Sequence, residues 1–92
     1  MAVLLGHLLK WQYQSTERSN SSRATIREQR RRISKLLIES PSLKSYRSTA
    51  LLDAYLNGLD LAIQETNLPD ETFPPKCPYE FERAIDPDFF PD

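Results

Sequence analysis

Apolar residues recur at helical spacing through the first two thirds of the chain. The clearest case is segment 22–39, which contains neither Gly nor Pro. At about 100° per residue, its residues Ile26, Ile33 and Leu37 share one face. The polar segment 15–21 predicts a loop before this helix, and Asn20, Ser21 or Ser22 can cap it. The pair Ser40-Pro41 ends the helix, because a residue before Pro avoids the helical region. The pattern predicts a helix over 22–39.

A third helix is predicted over 42–66, opened by Pro41 as its first residue with Ser40 as its cap. Leu51, Tyr55 and Ala62 share its core face. Four further residues are predicted to widen that face: Leu52, Leu56, Leu59 and Ile63. Gly58 lies inside it and costs about 1 kcal/mol of helix stability relative to Ala, so it either marks a close helix contact or is simply tolerated. Asn67 is suited to a left-handed stop, and Pro69 follows it.

The first segment, 2–14, is predicted to be helical but apolar on nearly every side. Such a helix is usually buried on several sides, and two further helices do not easily cover it. We therefore expect this chain to self-associate or to bind a protein partner through the first helix, or to have had its cover in a preceding segment. The residues predicted for that interface are Leu4, Leu5, Leu8, Trp11 and Tyr13.

Segment 68–92 differs in composition, since it holds six of the seven prolines together with four phenylalanines and a tyrosine. Prolines reduce the entropy lost on ordering, and aromatic side chains supply apolar area to bury. We predict a strap that crosses the helices, with one short helix near residues 78–84. The fold predicted for the whole chain is a single all-α domain: a three-helix antiparallel bundle with a Pro-rich aromatic C-terminal strap.

The overall net charge of −1 conceals two opposite halves. Residues 1–47 carry ten basic and three acidic side chains, whereas residues 48–92 carry two basic and ten acidic ones. Either the acidic half folds onto the basic half, or the basic half offers a surface to a polyanion. The second reading rests on a stripe of cations at four-residue spacing in the central helix: Arg23, Arg27, Arg31 and Lys35. Binding of nucleic acid through this stripe is the alternative function, although no helix-turn-helix, phosphate-loop or zinc pattern accompanies it.

The residue types that carry chemistry do not form a recognisable catalytic or metal-binding pattern. His7 is the only histidine and Cys77 the only cysteine, and one of each is too few for a metal site. We expect both to be packed structural residues, no cofactor and no enzymatic activity. Arg30 flanks the core face of its helix and should pair with a carboxylate, for which Glu65 is the predicted partner.

The compartment is predicted from what the chain contains. A single cysteine fits a reducing environment, and no apolar run approaches the roughly 20 residues of a membrane span. The apolar start MAVLLGHLL has neither a basic leader region nor a small-residue cleavage site. We therefore expect a cytoplasmic protein that does not enter a membrane.

Several motifs resemble those of a known family in the same order. They are HLLKWQYQ at 7–14, TIREQRRRI at 25–33, SPSLK at 40–44, ETNL at 65–68, FPPKCPY at 73–79 and the closing DPDFFPD. The chain is similar to the domain of unknown function 29 family, and the resemblance covers nearly all of it. The resemblance implies a bacterial, all-helical protein and no established activity.

The chain departs from this family pattern in two places. Family members usually carry further residues before the HLLKW stretch, including an acidic helix, so this chain resembles the C-terminal part of the family domain. Members often have an aromatic residue shortly before the TIREQR-like stretch, where this chain has Asn20, Ser21 and Ser22. Both departures led us to expect an incompletely covered core.

Overall fold

The computed structural model describes residues 1–14, 16 and 18–91, without the side chains of Leu43, Lys44 and Ser48. The described part is all-α and contains no strand, which confirms the predicted fold class. Four α-helices follow one another: α1 (Ala2–Tyr13), α2 (Asn20–Glu39), α3 (Arg47–Thr66) and α4 (Phe81–Ile85). Single 3₁₀ segments occupy Pro41–Tyr46 and Asp70–Thr72.

Helix α1 is the centre of the domain. It packs against α3 along most of its length and also against α2 and α4. Its four leucines Leu4, Leu5, Leu8 and Leu9 are completely buried within the single chain. The apolar residues on several sides of α1 therefore reflect its central position, because the faces that carry its leucines meet other parts of the same chain, whereas Val3 is 41% exposed.

This position corrects the predicted interface on α1. Leu4, Leu5 and Leu8 are not accessible to a partner, and Trp11 is only 8% exposed. The ring of Trp11 packs against Phe90, and Tyr13 meets Phe73 edge-on. The C-terminal strap provides the cover that we expected from a second copy, a partner or a preceding segment.

Helices α1 and α3 run parallel, as expected for the first and third helices of the predicted antiparallel bundle. Gly6 lies against Gly58 and Leu61, while Lys10 lies further along beside Glu65. A Cβ atom on Gly58 would lie 2.8 Å from the carbonyl oxygen of Ala2 and 3.0 Å from the Gly6 nitrogen. Of the two readings of Gly58, the structure supports the close helix contact, because two backbones meet at this crossing.

The helix ends differ from the sequence prediction by a few residues. Ser19 caps α2, its hydroxyl accepting a hydrogen bond from the Ser22 nitrogen, although we had placed the cap between residues 20 and 22. Pro41 begins a 3₁₀ segment, so α3 starts only at Arg47. Asn67 ends α3 in the left-handed conformation, as predicted. The polar loop predicted for 15–21 lies partly outside the described residues, at Ser15 and Glu17.

Hydrogen bonds from two buried tyrosines fasten the strap to the helices. The Tyr55 hydroxyl of α3 donates to the Pro74 carbonyl at 2.6 Å, and the Tyr79 hydroxyl donates to Oε1 of Gln12 at 2.7 Å. Burial raises the pKa of Tyr55 to about 12, so this donor keeps its proton at neutral pH. The strap is therefore an ordered layer of the domain, with Phe73 and Tyr79 as part of the core.

The backbone contact at Gly58 generates a stability prediction. Gly58→Ala should lower the free energy of unfolding by about 1–3 kcal/mol, because the added methyl meets backbone atoms that cannot move aside separately. Substitution of Gly by Ala within a helix otherwise stabilises by about 1 kcal/mol, so the sign of the change is diagnostic. Urea unfolding measures it, with the exposed neighbour Asn57→Ala as the control. A stabilised Gly58→Ala variant would contradict the close crossing.

Candidate functional site: a basic groove along α2

A groove with a volume of about 880 Å³ runs between α2 and the last part of the strap. One wall is the outward face of α2, and the opposite wall is apolar and consists of Ile85, Pro87 and Phe90. Ile38 lies at the C-terminal end of the α2 wall and is 78% exposed. We call this feature the basic groove, because its α2 wall carries the predicted cation stripe Arg23, Arg27, Arg31 and Lys35.

The structure brings all four predicted stripe residues to the same groove, where they are exposed. Successive members are separated by about 6 Å along the helix axis, since each step is four residues. Among the described residues, no carboxylate lies within 4 Å of the charged groups of Arg23, Arg27 or Arg31. Lys35 alone has a partner, Glu39, at 3.9 Å. The groove therefore offers positive charge that the described part of the chain does not neutralise.

Arg30 lies between the two walls and has a different role. It is buried, and its guanidinium donates from Nε to the Ala84 carbonyl at 2.8 Å and from Nη2 to the Phe89 carbonyl at 2.7 Å. Burial lowers its pKa, and the nearby Asp86 opposes this effect. The two carbonyls receive a bidentate contact that only a planar guanidinium can make, so Arg30 positions the apolar wall against α2.

These contacts correct the predicted ion pair between Arg30 and Glu65. Glu65 accepts instead from Lys10 Nζ at 2.7 Å, on the far side of α1. Arg30 satisfies its donors with backbone carbonyls of α4 and the strap, because these are the acceptors that face it across the groove. An arginine beside a core face signals a buried acceptor, but its identity depends on which segment crosses the helix.

The position of the apolar wall opposite α2 was not predicted from the sequence. Phe90 contacts Trp11 at a ring-centroid distance of 4.9 Å, and the guanidiniums of Arg30 and Arg23 lie 5.3 and 6.0 Å from its ring centroid. The sequence predicts that the aromatic pair in DPDFFPD supplies apolar area to bury. Its placement opposite the cations could not be read from spacing, because about 60 residues separate the two walls.

His7 and Cys77 lie outside the basic groove. Cys77 Sγ donates to the Tyr79 carbonyl at 3.4 Å, and burial raises the pKa of its thiol, which opposes formation of a nucleophilic thiolate. His7 adjoins a polar depression with Lys10 and Glu65, and burial lowers its pKa. The described residues contain no group of three or more His, Cys, Asp or Glu side chains arranged to hold a metal ion.

A family model described as "Domain of unknown function DUF29" matches residues 1–90. The chain belongs to this family. The match spans nearly the whole chain, including both walls of the basic groove and the central helix α1. No curated protein and no solved structure shows a significant match to the DUF29 chain. None of the described helices combines the length and apolarity that a membrane crossing requires.

The bidentate contact of Arg30 predicts that substituting this residue lowers the stability of the DUF29 domain. Arg30→Lys should lower the free energy of unfolding by about 1.5–3 kcal/mol, because an ammonium cannot satisfy both carbonyls in the same geometry. Hydrogen exchange of the Asp86 and Phe89 amides should accelerate as the strap loosens. Arg31→Lys is the matched control, since Arg31 is exposed and should change stability by less than about 0.5 kcal/mol. Equal stabilities of the two variants would refute the positioning role.

The His7 environment predicts a pH dependence of stability. Its folded-state pKa is lowered, by burial first and by Lys10 second, so folding favours the neutral imidazole. The contribution of His7 is then fully present above its unfolded pKa of about 6.5 and is lost as the pH falls through the folded value. Urea unfolding at several pH values below neutrality should show a steeper loss of stability in the parent chain than in His7→Gln. Parallel curves would contradict this assignment.

Proposed function

We propose that this domain is a non-enzymatic interaction module that binds an acidic segment of a protein in the basic groove. The observation that carries the proposal is that the cation stripe faces an apolar wall across one cleft, while its three arginines have no carboxylate partner among the described residues. A protein segment that carries both carboxylates and apolar side chains complements both walls at once. The proposal keeps the predicted protein-binding function and moves it from α1 to the outward face of α2.

A protein ligand fits the groove better than a nucleic acid, which was the alternative function. Proteins that bind single strands without sequence preference combine cations with aromatic rings on which bases stack. The only aromatic residue lining the described groove is Phe90, and its ring already contacts Trp11 and two arginines. Ile38, Ile85 and Pro87 offer aliphatic surface, which suits leucine or isoleucine side chains.

The environment of Cys77 also favours a binding role over a catalytic one. The thiol of Cys77 has a raised pKa, and its hydrogen bond is to the backbone of its own strap. We infer that the domain needs no cofactor. Because Cys77 is a free thiol, which fits a reducing compartment, we also infer that the protein functions in the cytoplasm.

Binding of a designed peptide tests the proposal. The probe is a fluorescent helical peptide with leucines on one face and glutamates beside them, titrated at low and at high salt. We expect saturable binding that weakens with salt, because exposed charges are screened. Arg27→Glu with Arg31→Glu should raise the dissociation constant by at least about tenfold.

Two controls make the result specific. The charge-matched control is Arg32→Glu with Lys76→Glu, since neither residue lines the groove and Arg32 pairs with Glu28 on another face of α2. These changes should leave the affinity within about twofold. A single-stranded oligonucleotide that bound more tightly than the peptide, with the same variant response, would favour the nucleic-acid alternative. Absence of peptide binding at low salt would refute the proposed function.

A further inference from the structure

The outward face of α3 combines apolar and acidic side chains. Leu52 and Leu56, which were predicted to widen the core face, are instead 64% and 61% exposed, and they lie one turn apart on this face. Asp53 and Asp60 are exposed beside them, and no described cation pairs with either carboxylate. Exposed leucines at one-turn spacing, beside carboxylates that no described cation pairs with, form a face that lacks a partner within the described part of the chain.

This α3 face complements the basic groove in both chemistry and spacing. Asp53 and Asp60 are separated by about 10.5 Å along their helix, and Arg27 and Lys35 by about 12 Å along theirs. Both pairs therefore extend over about two helical turns, so two carboxylates of one helix can approach two cations of the other. Leu56, which lies between the two aspartates, and Leu52, one turn before it, then meet the aliphatic surface of the groove at Ile38 and Ile85.

We propose that the partner of the basic groove is the α3 face of a second copy of this chain. This inference rests on the proposed function and names its ligand. The two apolar surfaces leave water together, and the acidic face brings carboxylates to a cation stripe in which only Lys35 has a carboxylate partner within the described chain. The opposite charges of the two halves of the sequence thus meet between copies at this contact.

The contact joins two different surfaces, so it is heterologous. Each bound pair of copies leaves one groove and one α3 face unfilled, unless the arrangement closes into a ring or a reciprocal pair. Association should therefore depend on protein concentration and on salt. Reversing the charge of either surface alone should abolish it.

Light scattering on the full chain tests the inference. We expect the average molar mass to rise with protein concentration at low salt and to fall again at high salt. Two double variants remove opposite surfaces: Arg27→Glu with Arg31→Glu reverses the groove, and Asp53→Lys with Asp60→Lys reverses the α3 face. Each should be monomeric at concentrations where the parent chain associates. Arg32→Glu with Lys76→Glu is the control and should associate like the parent.

Mixing the two monomeric variants gives the decisive measurement. The intact groove of one variant can bind the intact α3 face of the other, so the mixture should regain association although neither component has it. Circular dichroism and urea unfolding verify that each variant is folded, as expected for changes at exposed positions.

The outcomes separate this inference from the proposed function. A parent chain that stays at the mass of one copy up to about 1 mM, yet binds the acidic peptide, would overturn self-association and keep the groove as a binding site. Association that survives both double variants would also overturn the inference, because it would use another surface. A parent chain that neither binds the peptide at low salt nor associates would refute both proposals.

Discussion

Burial of α1 is the interaction on which the rest of this structure depends. A twelve-residue helix with leucines on several sides can be stable in water only if every side is covered. Helix α3 covers one side through a close backbone crossing, and α2 covers another. The strap packs aromatic side chains against a further side of α1, so this proline-rich segment is part of the core rather than a loose tail.

Covering α1 also creates the basic groove. The strap has to cross α2 to bring Phe90 against Trp11, and Arg30 holds it there through two carbonyls. The crossing leaves a cleft between the strap and the outward face of α2, with Arg23, Arg27 and Arg31 along its edge. The same helix therefore uses Arg30 for packing and leaves its other groove arginines exposed to solvent.

Within the described structure, the acidic half of the chain neutralises only part of the positive charge of the basic half. Two ion pairs join the basic and acidic halves, Lys10 with Glu65 and Arg47 with Glu82, and both lie away from the groove. The groove arginines keep their charge exposed to water beside apolar surface. Such a combination favours recognition over stability, since unneutralised like charges on one helix face repel one another.

The sequence by itself determined the helices, the cation stripe, the left-handed stop at Asn67 and the likeness to the DUF29 family. These features depend on local spacing and on short motifs, which a periodic pattern reports directly. Only the tertiary structure decided that α1 is central, that Arg30 binds strap carbonyls rather than Glu65, and that Phe90 faces the cations. Periodicity shows which residues share a helix face, but the segment that covers that face is chosen by long-range packing, here at the Gly6–Gly58 crossing and along the strap.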